Sequence, residues 1–176
     1  MPDPRASSSA TTTRTAPPER VWQYVIDYPA ITEKPDFWLW KVGLPAPVQS
    51  TATGHFVGAR RRCAFEGNIA FDERIVEMEP ARKLTFDITD QPKDPEIMGH
   101  LDLKRGRMIL RDNHDGTTTL IGTSWYKLKV YPSAYYDLWT QSIMRAVHLR
   151  VMHHIQRLAE APEGYSHLRP LGSAPP

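Results

Sequence analysis

Residues 117–160 form the stretch TTTLIGTSWYKLKVYPSAYYDLWTQSIMRAVHLRVMHHIQRLAE, in which one apolar pattern gives way to another. From Thr117 to Val130 alternate residues share a side and Lys127 and Lys129 lie on the opposite one, which is typical of a half-buried strand. From Ser133 to Glu160 apolar residues recur every three or four positions, which predicts a helix roughly 40 Å long. The apolar stripe of that helix is Tyr135, Leu138, Trp139, Ile143, Val147, Val151, Ile155 and Leu158.

Upstream of this stretch, from Gly54 onward, the same alternation recurs between Gly and Asp-Gly turn signals, which indicates a meander of antiparallel strands. The predicted strands are Gly58 to Phe65, Ile69 to Glu77, Lys83 to Thr89, Arg107 to Arg111 and Thr117 to Val130, with a turn at Asp115-Gly116. Alternation predicts an inward-facing set that includes Arg61, Cys63, Phe65, Phe71, Glu73, Ile75, Leu84, Phe86, Ile88, Met108, Leu110, Leu120 and Tyr126.

The beginning of the chain adds a predicted first strand, Thr11 to Ala16, and a short helix that starts at Pro17-Pro18-Glu19 and ends at Tyr28-Pro29. Strand, short helix, antiparallel meander and long terminal helix together predict an α+β helix-grip fold, in which a curved antiparallel sheet wraps around the C-terminal helix. Such a fold leaves space for a pocket where the sheet and the helix diverge.

Length and composition predict one domain. The chain has 176 residues, and we expect a flexible tail at 1–10, a single helix-grip domain at 11–160 and a flexible Pro-rich tail at 161–176. The formal net charge of +2 argues against nucleic acid as a partner. The lone Cys63 and the lack of a signal sequence favour a cytoplasmic location, and no apolar run is long enough to span a membrane. Nothing in the sequence indicates an oligomeric state.

Three stretches carry a family resemblance: GARRRCAF at 58–65, GTSWY at 122–126, and PSAYYDLW at 132–139 continued by VHLRV at 147–151. They resemble the polyketide cyclase/dehydrase-like branch of the SRPBCC (START/Bet v 1-like) superfamily. The resemblance implies a helix-grip fold with an internal pocket for hydrophobic or aromatic small molecules, including lipids. Because members of that superfamily include carriers, receptors and enzymes, the resemblance does not choose among these functions.

Arg61 and Glu73 are charged residues on the predicted inner face of neighbouring strands, where they can pair across the ladder. Two interpretations remain open for this pair. It closes one end of the core as a buried ion pair, or it also orients a polar group of a ligand. His148 has similar alternatives, because it adjoins the apolar stripe and is either a solvated or core-edge histidine, or a group that transfers protons or bonds a ligand.

An aromatic wall is predicted from Tyr126, Tyr135 and Trp139, with core packing as the alternative. The phenol of Tyr126 requires a hydrogen-bond partner if it is buried, which a ligand or Glu73 would provide. The run Phe37 to Trp40 is expected near the pocket mouth, as a lid, a membrane or partner contact, or plain core. The predicted ligand-binding residues are Arg61, Phe71, Glu73, Tyr126, Tyr135, Trp139 and Ile143.

No metal or cofactor is predicted. His153 and His154 are adjacent, so one helix face cannot present both to a metal ion. Cys63 is interpreted as a small buried apolar residue rather than a nucleophile. The chain contains no Gly-rich phosphate loop, nucleophile elbow or paired-cysteine pattern.

Two functions follow from the sequence. The first is a binding or carrier domain for a hydrophobic small molecule. The alternative is a cofactor-free enzyme like a polyketide cyclase or dehydratase, with Glu73, Tyr126 and His148 as candidate acid/base residues.

Overall fold

The computed structural model describes residues 6–93 and 98–161. The helices are α1 (Pro18–Trp22), α2 (Trp38–Lys41) and α3 (Ser133–Glu160). The strands are β1 (Ala6–Arg14), β2 (Pro47–Ala52), β3 (Arg60–Phe65), β4 (Ile69–Glu79), β5 (Lys83–Asp90), β6 (Leu101–Asp112) and β7 (Thr118–Leu128).

All seven strands form one sheet in the order β1-β7-β6-β5-β4-β3-β2, and every neighbouring pair is antiparallel. Strands β2 to β7 follow one another as a meander, while β1 adds to the free edge of β7 and pairs Thr12 with Leu120. The long helix α3 is unbroken and packs on the concave side. The predicted helix-grip fold is confirmed.

The predicted faces of the sheet are confirmed for most of the inward set, although Phe65 and Ile88 are half-buried. Phe71, Phe86, Leu110 and Leu120 are buried, whereas Lys127 and Lys129 are exposed. Tyr126 is also buried. The loop containing Asp115-Gly116 joins β6 to β7, as the turn signal predicted.

The strands differ from the prediction by one or two residues at several ends, and by more at β2, β6 and β1. β2 was not predicted, because PVQSTA is short and polar and begins with proline at a sheet edge. β6 begins at Leu101 rather than Arg107, because a register shift between Leu103 and Arg105 interrupts the alternation. β1 begins at Ala6, so residues 6–10 belong to a strand although their composition suggested a tail. Residues 1–5 and 162–176 of the expected tails lie outside the described part.

The buried face of α3 is rotated from the predicted stripe. Tyr135, Leu138 and Trp139 are exposed, and Ile143 and Val147 are half-buried. Val151 and Ile155 of the predicted stripe are buried, as expected. The other buried side chains of α3 are Thr140, Met144, His148, Met152, His154, Gln156 and Ala159.

Polar residues on the inner face of α3 explain that error. The Thr140 hydroxyl donates to the Tyr136 carbonyl oxygen at 2.8 Å, and Gln156 donates to the Thr12 carbonyl oxygen at 3.4 Å. Because buried polar groups are tolerated once they are hydrogen-bonded, these positions are buried without being apolar. A buried face predicted from apolar residues alone therefore misses these polar positions.

The short helix α1 supplies the base of the core. Pro18 is in its first turn, as predicted, and Val21, Val25 and Ile26 are almost wholly buried. The helix ends at Trp22, earlier than the predicted Tyr28-Pro29, because residues 23–25 continue as turns rather than helix.

Candidate functional site: a cavity between the sheet and the long helix

A cavity of about 150 Å³ lies between the concave face of the sheet and α3. Its wall is mainly apolar and is contributed by β3 to β7, by the loop around Leu44 and by α3. An apolar cavity of this size is large enough for a benzene-sized molecule. Its apolar wall includes Phe65, Phe71, Phe86, Ile88, Leu101, Leu103, Met108, Ile143, Met144, Val147 and Val151.

Arg61 and Glu73 form a buried ion pair in the cavity wall. They are directly opposite each other on β3 and β4, and the Arg61 guanidinium donates from Nη1 to the Glu73 carboxylate. Arg61 Nε also donates to the Ile26 carbonyl oxygen at 2.7 Å, and the guanidinium lies 4.8 Å from the centre of the Phe86 ring. Burial raises the pKa of Glu73, against the opposing influence of Arg61. With its charge and two of its donors engaged, Arg61 is a satisfied buried cation.

Tyr28 and Cys63 extend this polar cluster. The Tyr28 hydroxyl lies 3.7 Å from Cys63 Sγ, and both residues line the cavity. Burial raises the pKa of Tyr28, and raises the pKa of Cys63 to about 11. A thiol with so high a pKa is protonated at neutral pH and is a poor nucleophile. Sequence reasoning missed Tyr28, since it follows α1 in a segment with no repeating pattern.

Ser124 and His148 form a second polar group in the wall. Ser124 Oγ on β7 lies 2.9 Å from His148 Nε2 on α3. The imidazole approaches the sheet over Gly122, where a Cβ would lie 3.5 Å from His148 Cδ2 and 3.3 Å from the sulfur atoms of Met108 and Met152. Burial lowers the pKa of His148 to about 4, so the ring is neutral at pH 7.

Tyr126, Tyr135 and Trp139 are not among the described residues that line the cavity. The Tyr126 hydroxyl instead donates to Asp137 Oδ1 at 2.8 Å, so its partner is neither Glu73 nor a ligand. Burial, followed by the bond to Asp137, raises the pKa of this phenol. Tyr135 is 57% exposed and Trp139 is 42% exposed. Of the predicted ligand-binding residues, the structure brings Arg61, Phe71, Glu73 and Ile143 to the cavity.

The aromatic run Phe37 to Trp40 is split between surface and core. Trp38 is exposed and meets the exposed Trp139 edge to face, with 6.5 Å between ring centres. Trp40 is buried beneath the Arg150 guanidinium, which lies 5.5 Å from its ring centre and donates to the Glu33 carbonyl oxygen at 2.9 Å. Arg150 therefore fastens this segment to α3.

Metal ligands do not converge within residues 6–93 and 98–161, where no three His, Cys, Asp or Glu side chains are arranged to hold an ion. His154 is buried against the Pro29 carbonyl oxygen at 3.0 Å, whereas its neighbour His153 is exposed. In the same part of the chain, no helix has the length and apolar character needed to cross a bilayer.

Comparison with known proteins identifies the fold. Neither a protein-family model nor a curated protein matches the sequence. Among solved structures, the di-domain ARO/CYC BexL from the BE-7585A biosynthetic pathway matches with a TM-score of 0.60 and 15% identity, over 90% of this chain and 51% of that one. XoxI from Bacillus cereus matches with a TM-score of 0.57 and 15% identity, over 88% and 95% of the two chains.

A START superfamily protein from Mycobacterium smegmatis is similar as well, with a TM-score of 0.56 and 12% identity, over 86% of this chain and 98% of that one. At identities this low the likeness concerns the fold alone. The chain has the helix-grip fold that its sequence predicted, and that fold is similar to those of a START superfamily protein and an ARO/CYC protein.

Proposed function

We propose that this protein binds a hydrophobic small molecule in the cavity between the sheet and α3. The observation that carries the proposal is the cavity of about 150 Å³ with its mainly apolar wall. The cavity lies where the helix and the sheet diverge. Protein interiors are close-packed and contain few voids larger than a water molecule. Apolar pockets with a few fixed polar groups are the usual form of small-molecule sites.

The size of the cavity favours a small ligand. Typical pockets for drug-sized molecules occupy roughly 300–1,000 Å³. A cavity of about 150 Å³ fits one aromatic ring or a short aliphatic chain better than a multi-ring polyketide. We therefore place a single-ring or similarly compact molecule in it.

The positions of the titratable groups favour binding over catalysis. The Glu73 carboxylate is paired with Arg61. The Tyr126 hydroxyl donates to Asp137, and Tyr126 does not line the cavity. General acid/base catalysis needs groups that converge on the reacting atoms within hydrogen-bond reach. The remaining candidate is His148, which lines the cavity and has one ring nitrogen, Nδ1, that is not hydrogen-bonded to the described part of the protein.

A cofactor-free enzyme like a cyclase or dehydratase is the second candidate function. The Ser124–His148 contact supports it, because a neutral imidazole accepts a proton and a hydroxyl can relay one. The likeness to an ARO/CYC protein agrees with this alternative. Incubation with a candidate substrate separates the two functions, since a carrier releases its ligand chemically unchanged. We place both functions in the cytoplasm, because the chain's single cysteine offers no internal disulfide.

Calorimetric titration with p-xylene tests the binding proposal. Val147→Phe adds a ring to the cavity wall, and we expect it to weaken p-xylene binding at least tenfold. Leu138→Phe is the matched control on the exposed face of the same helix and should leave the affinity unchanged. Equal affinities for both folded variants and the native protein would place the binding site elsewhere.

A further inference from the structure

A polar cleft of about 530 Å³ lies across β2 to β5, on the other side of the sheet from the cavity. Arg61 and Glu73 point to the concave face, so the residues next to them on β3 and β4 point to the convex face. Besides that pair, the cleft is lined by Thr51, Ala52, Thr53, Arg60, Arg62, Asp72, Arg74, Thr89 and Asp90.

Two exposed arginines face each other in this cleft, because Arg60 on β3 is directly opposite Arg74 on β4. The Thr53 N–H donates to the Arg60 carbonyl oxygen at 2.9 Å, and the Arg60 N–H donates to Thr53 Oγ1 at 3.1 Å. The backbone of Arg60 therefore bonds toward Thr53 and not toward Arg74. Strand pairs of this non-hydrogen-bonded kind hold their Cα atoms about 4.5 Å apart and bring their side chains closest together.

The neighbouring carboxylates are bonded to other arginines. Arg62 Nη1 donates to Asp72 Oδ1 at 2.8 Å. Asp87, opposite Arg74 on β5, accepts two bonds from Arg105, at 2.6 and 3.1 Å. In the described part of the chain, neither member of the facing pair has an ion pair or a side-chain hydrogen bond. Like charges directly opposite each other destabilise a strand pair, so a bound anion would stabilise this one.

The other charged groups of the cleft leave it positive. Arg61 is paired with Glu73, and Arg62 is paired with Asp72. Among the described residues that line the cleft, Asp90, opposite Asp72 at the end of β5, is the one carboxylate outside these pairs. The two facing arginines therefore outweigh it, although Asp90 lowers the affinity for an anion.

Two facing guanidinium groups also limit which anion fits. Each guanidinium presents a planar fork of N–H donors that matches the oxygens of a carboxylate or a phosphate. The two oxygens of a carboxylate are sufficient for one fork. The terminal group of a phosphate monoester has three acceptor oxygens and nearly two negative charges at neutral pH, so it can bridge both forks.

We propose that Arg60 and Arg74 together bind a doubly charged phosphate group on the convex face of the sheet. The two guanidinium groups donate to its oxygens from opposite sides, and the bound anion removes the repulsion between them. This site is independent of the hydrophobic ligand proposed for the cavity. A small soluble phosphate and a phospholipid headgroup present the same chemical group, and the experiment distinguishes these sources.

The contact is tested by following the ¹⁵N resonances of the arginine Nε–H groups during titration with inorganic phosphate at neutral pH. Sodium chloride at equal ionic strength is the reference, because salt screens exposed charges without bridging them. We expect phosphate to move the resonances of Arg60 and Arg74 in a saturable way, in the millimolar range. Arg111 is an exposed arginine of β6 outside the cleft, and its resonance should follow the chloride reference.

Substitutions at the surface test the same contact energetically. Arg60→Gln and Arg74→Gln should each weaken phosphate binding about tenfold, because each removes charge-assisted hydrogen bonds. Arg111→Gln is the matched control and should leave the affinity unchanged, whereas Asp90→Asn should increase it. Phosphate should raise the melting temperature of the native protein above its value in chloride, and this increase should be lost in Arg60→Gln and Arg74→Gln.

Vesicles distinguish the two sources of the phosphate. If the native protein but not Arg60→Gln sediments with phosphatidylcholine vesicles that contain phosphatidic acid, the group belongs to a lipid. If inorganic phosphate binds and the vesicles do not, the group belongs to a soluble molecule. The inference is overturned if phosphate moves the Arg60 and Arg74 resonances no more than chloride does, or if Arg111→Gln weakens phosphate binding as much as Arg74→Gln.

Discussion

Arg61 and Glu73 face each other across β3 and β4 and form an ion pair within the cavity wall, where Arg61 is 3% exposed and Glu73 is 5% exposed. Neighbouring strands bring the two side chains together, and the Ile26 carbonyl oxygen accepts a further bond from Arg61. Because each charge has given up its hydration, each depends on the other.

Replacing Glu73 by Gln leaves Arg61 buried without a counter-charge. We expect the free energy of unfolding, measured by urea denaturation, to fall by about 3–5 kcal/mol. Arg61→Met combined with Glu73→Gln should recover much of that loss. Asp72→Asn is the control, because Asp72 pairs with Arg62 at the surface and such pairs contribute about 0–1 kcal/mol. An equal cost for Glu73→Gln and Asp72→Asn would contradict the account of a dependent buried pair.

Tyr126→Phe removes the hydrogen bond that links β7 to Asp137 near the beginning of α3. We expect a loss of about 2 kcal/mol in unfolding free energy, as for other hydrogen bonds to a charged group. The affinity for p-xylene should stay the same, because Tyr126 does not line the cavity. Tyr135→Phe, at an exposed position of α3, controls for the loss of a phenol hydroxyl. If Tyr126→Phe changed the affinity for p-xylene and Tyr135→Phe did not, Tyr126 would belong to the binding site, which would contradict this account.

Met144→Ala should be more damaging to stability than Trp139→Ala, although tryptophan is the larger side chain. Met144 is buried in the cavity wall, and its truncation should cost about 2–5 kcal/mol. Trp139 is 42% exposed and packs against the exposed Trp38, so its truncation should cost less. Chemical denaturation of both variants measures the order, and the reverse order would mean that the buried face of α3 is assigned incorrectly.

His148 makes the stability depend on pH. Its pKa is about 4 in the native protein and 6.5 ordinarily, so between these values the unfolded chain binds a proton that the native chain does not. Stability is therefore lost as the pH falls from 6.5 to 4, by about 3 kcal/mol in total from this residue. We expect His148→Phe to flatten that part of the profile, measured by urea denaturation at several pH values. Parallel profiles for the two proteins would show that His148 is not buried as a neutral ring.

The sheet was largely predictable because alternation along a strand has a period of two and tolerates little ambiguity. It placed Arg61 and Glu73 on the inner face of neighbouring strands and pointed Lys127 and Lys129 outward, as the structure has them. It failed where the backbone departs from a regular strand. The register shift near Leu103 is the example, since it hides half of β6 from a pattern search.

The site was less predictable, because it depends on which polar residues find partners across the fold. Asp137 lies 11 residues from Tyr126 and was not recognised as the acceptor for its phenol. Ser124 and His148 belong to different elements, and nothing in either local pattern announces their contact. The Tyr28 hydroxyl meets Cys63 only when the segment that follows α1 folds back onto the sheet. Such partnerships are set by tertiary packing.

Isotope-filtered NOE spectroscopy of p-xylene bound to the methyl-labelled protein tests the cavity most directly. The account predicts NOEs from the ligand to the methyl groups of Ile143, Met144 and Val147, all of which line the cavity. NOEs confined to the exposed rings of Trp38 and Trp139 would instead place the ligand on the outer surface and contradict binding between the sheet and the helix.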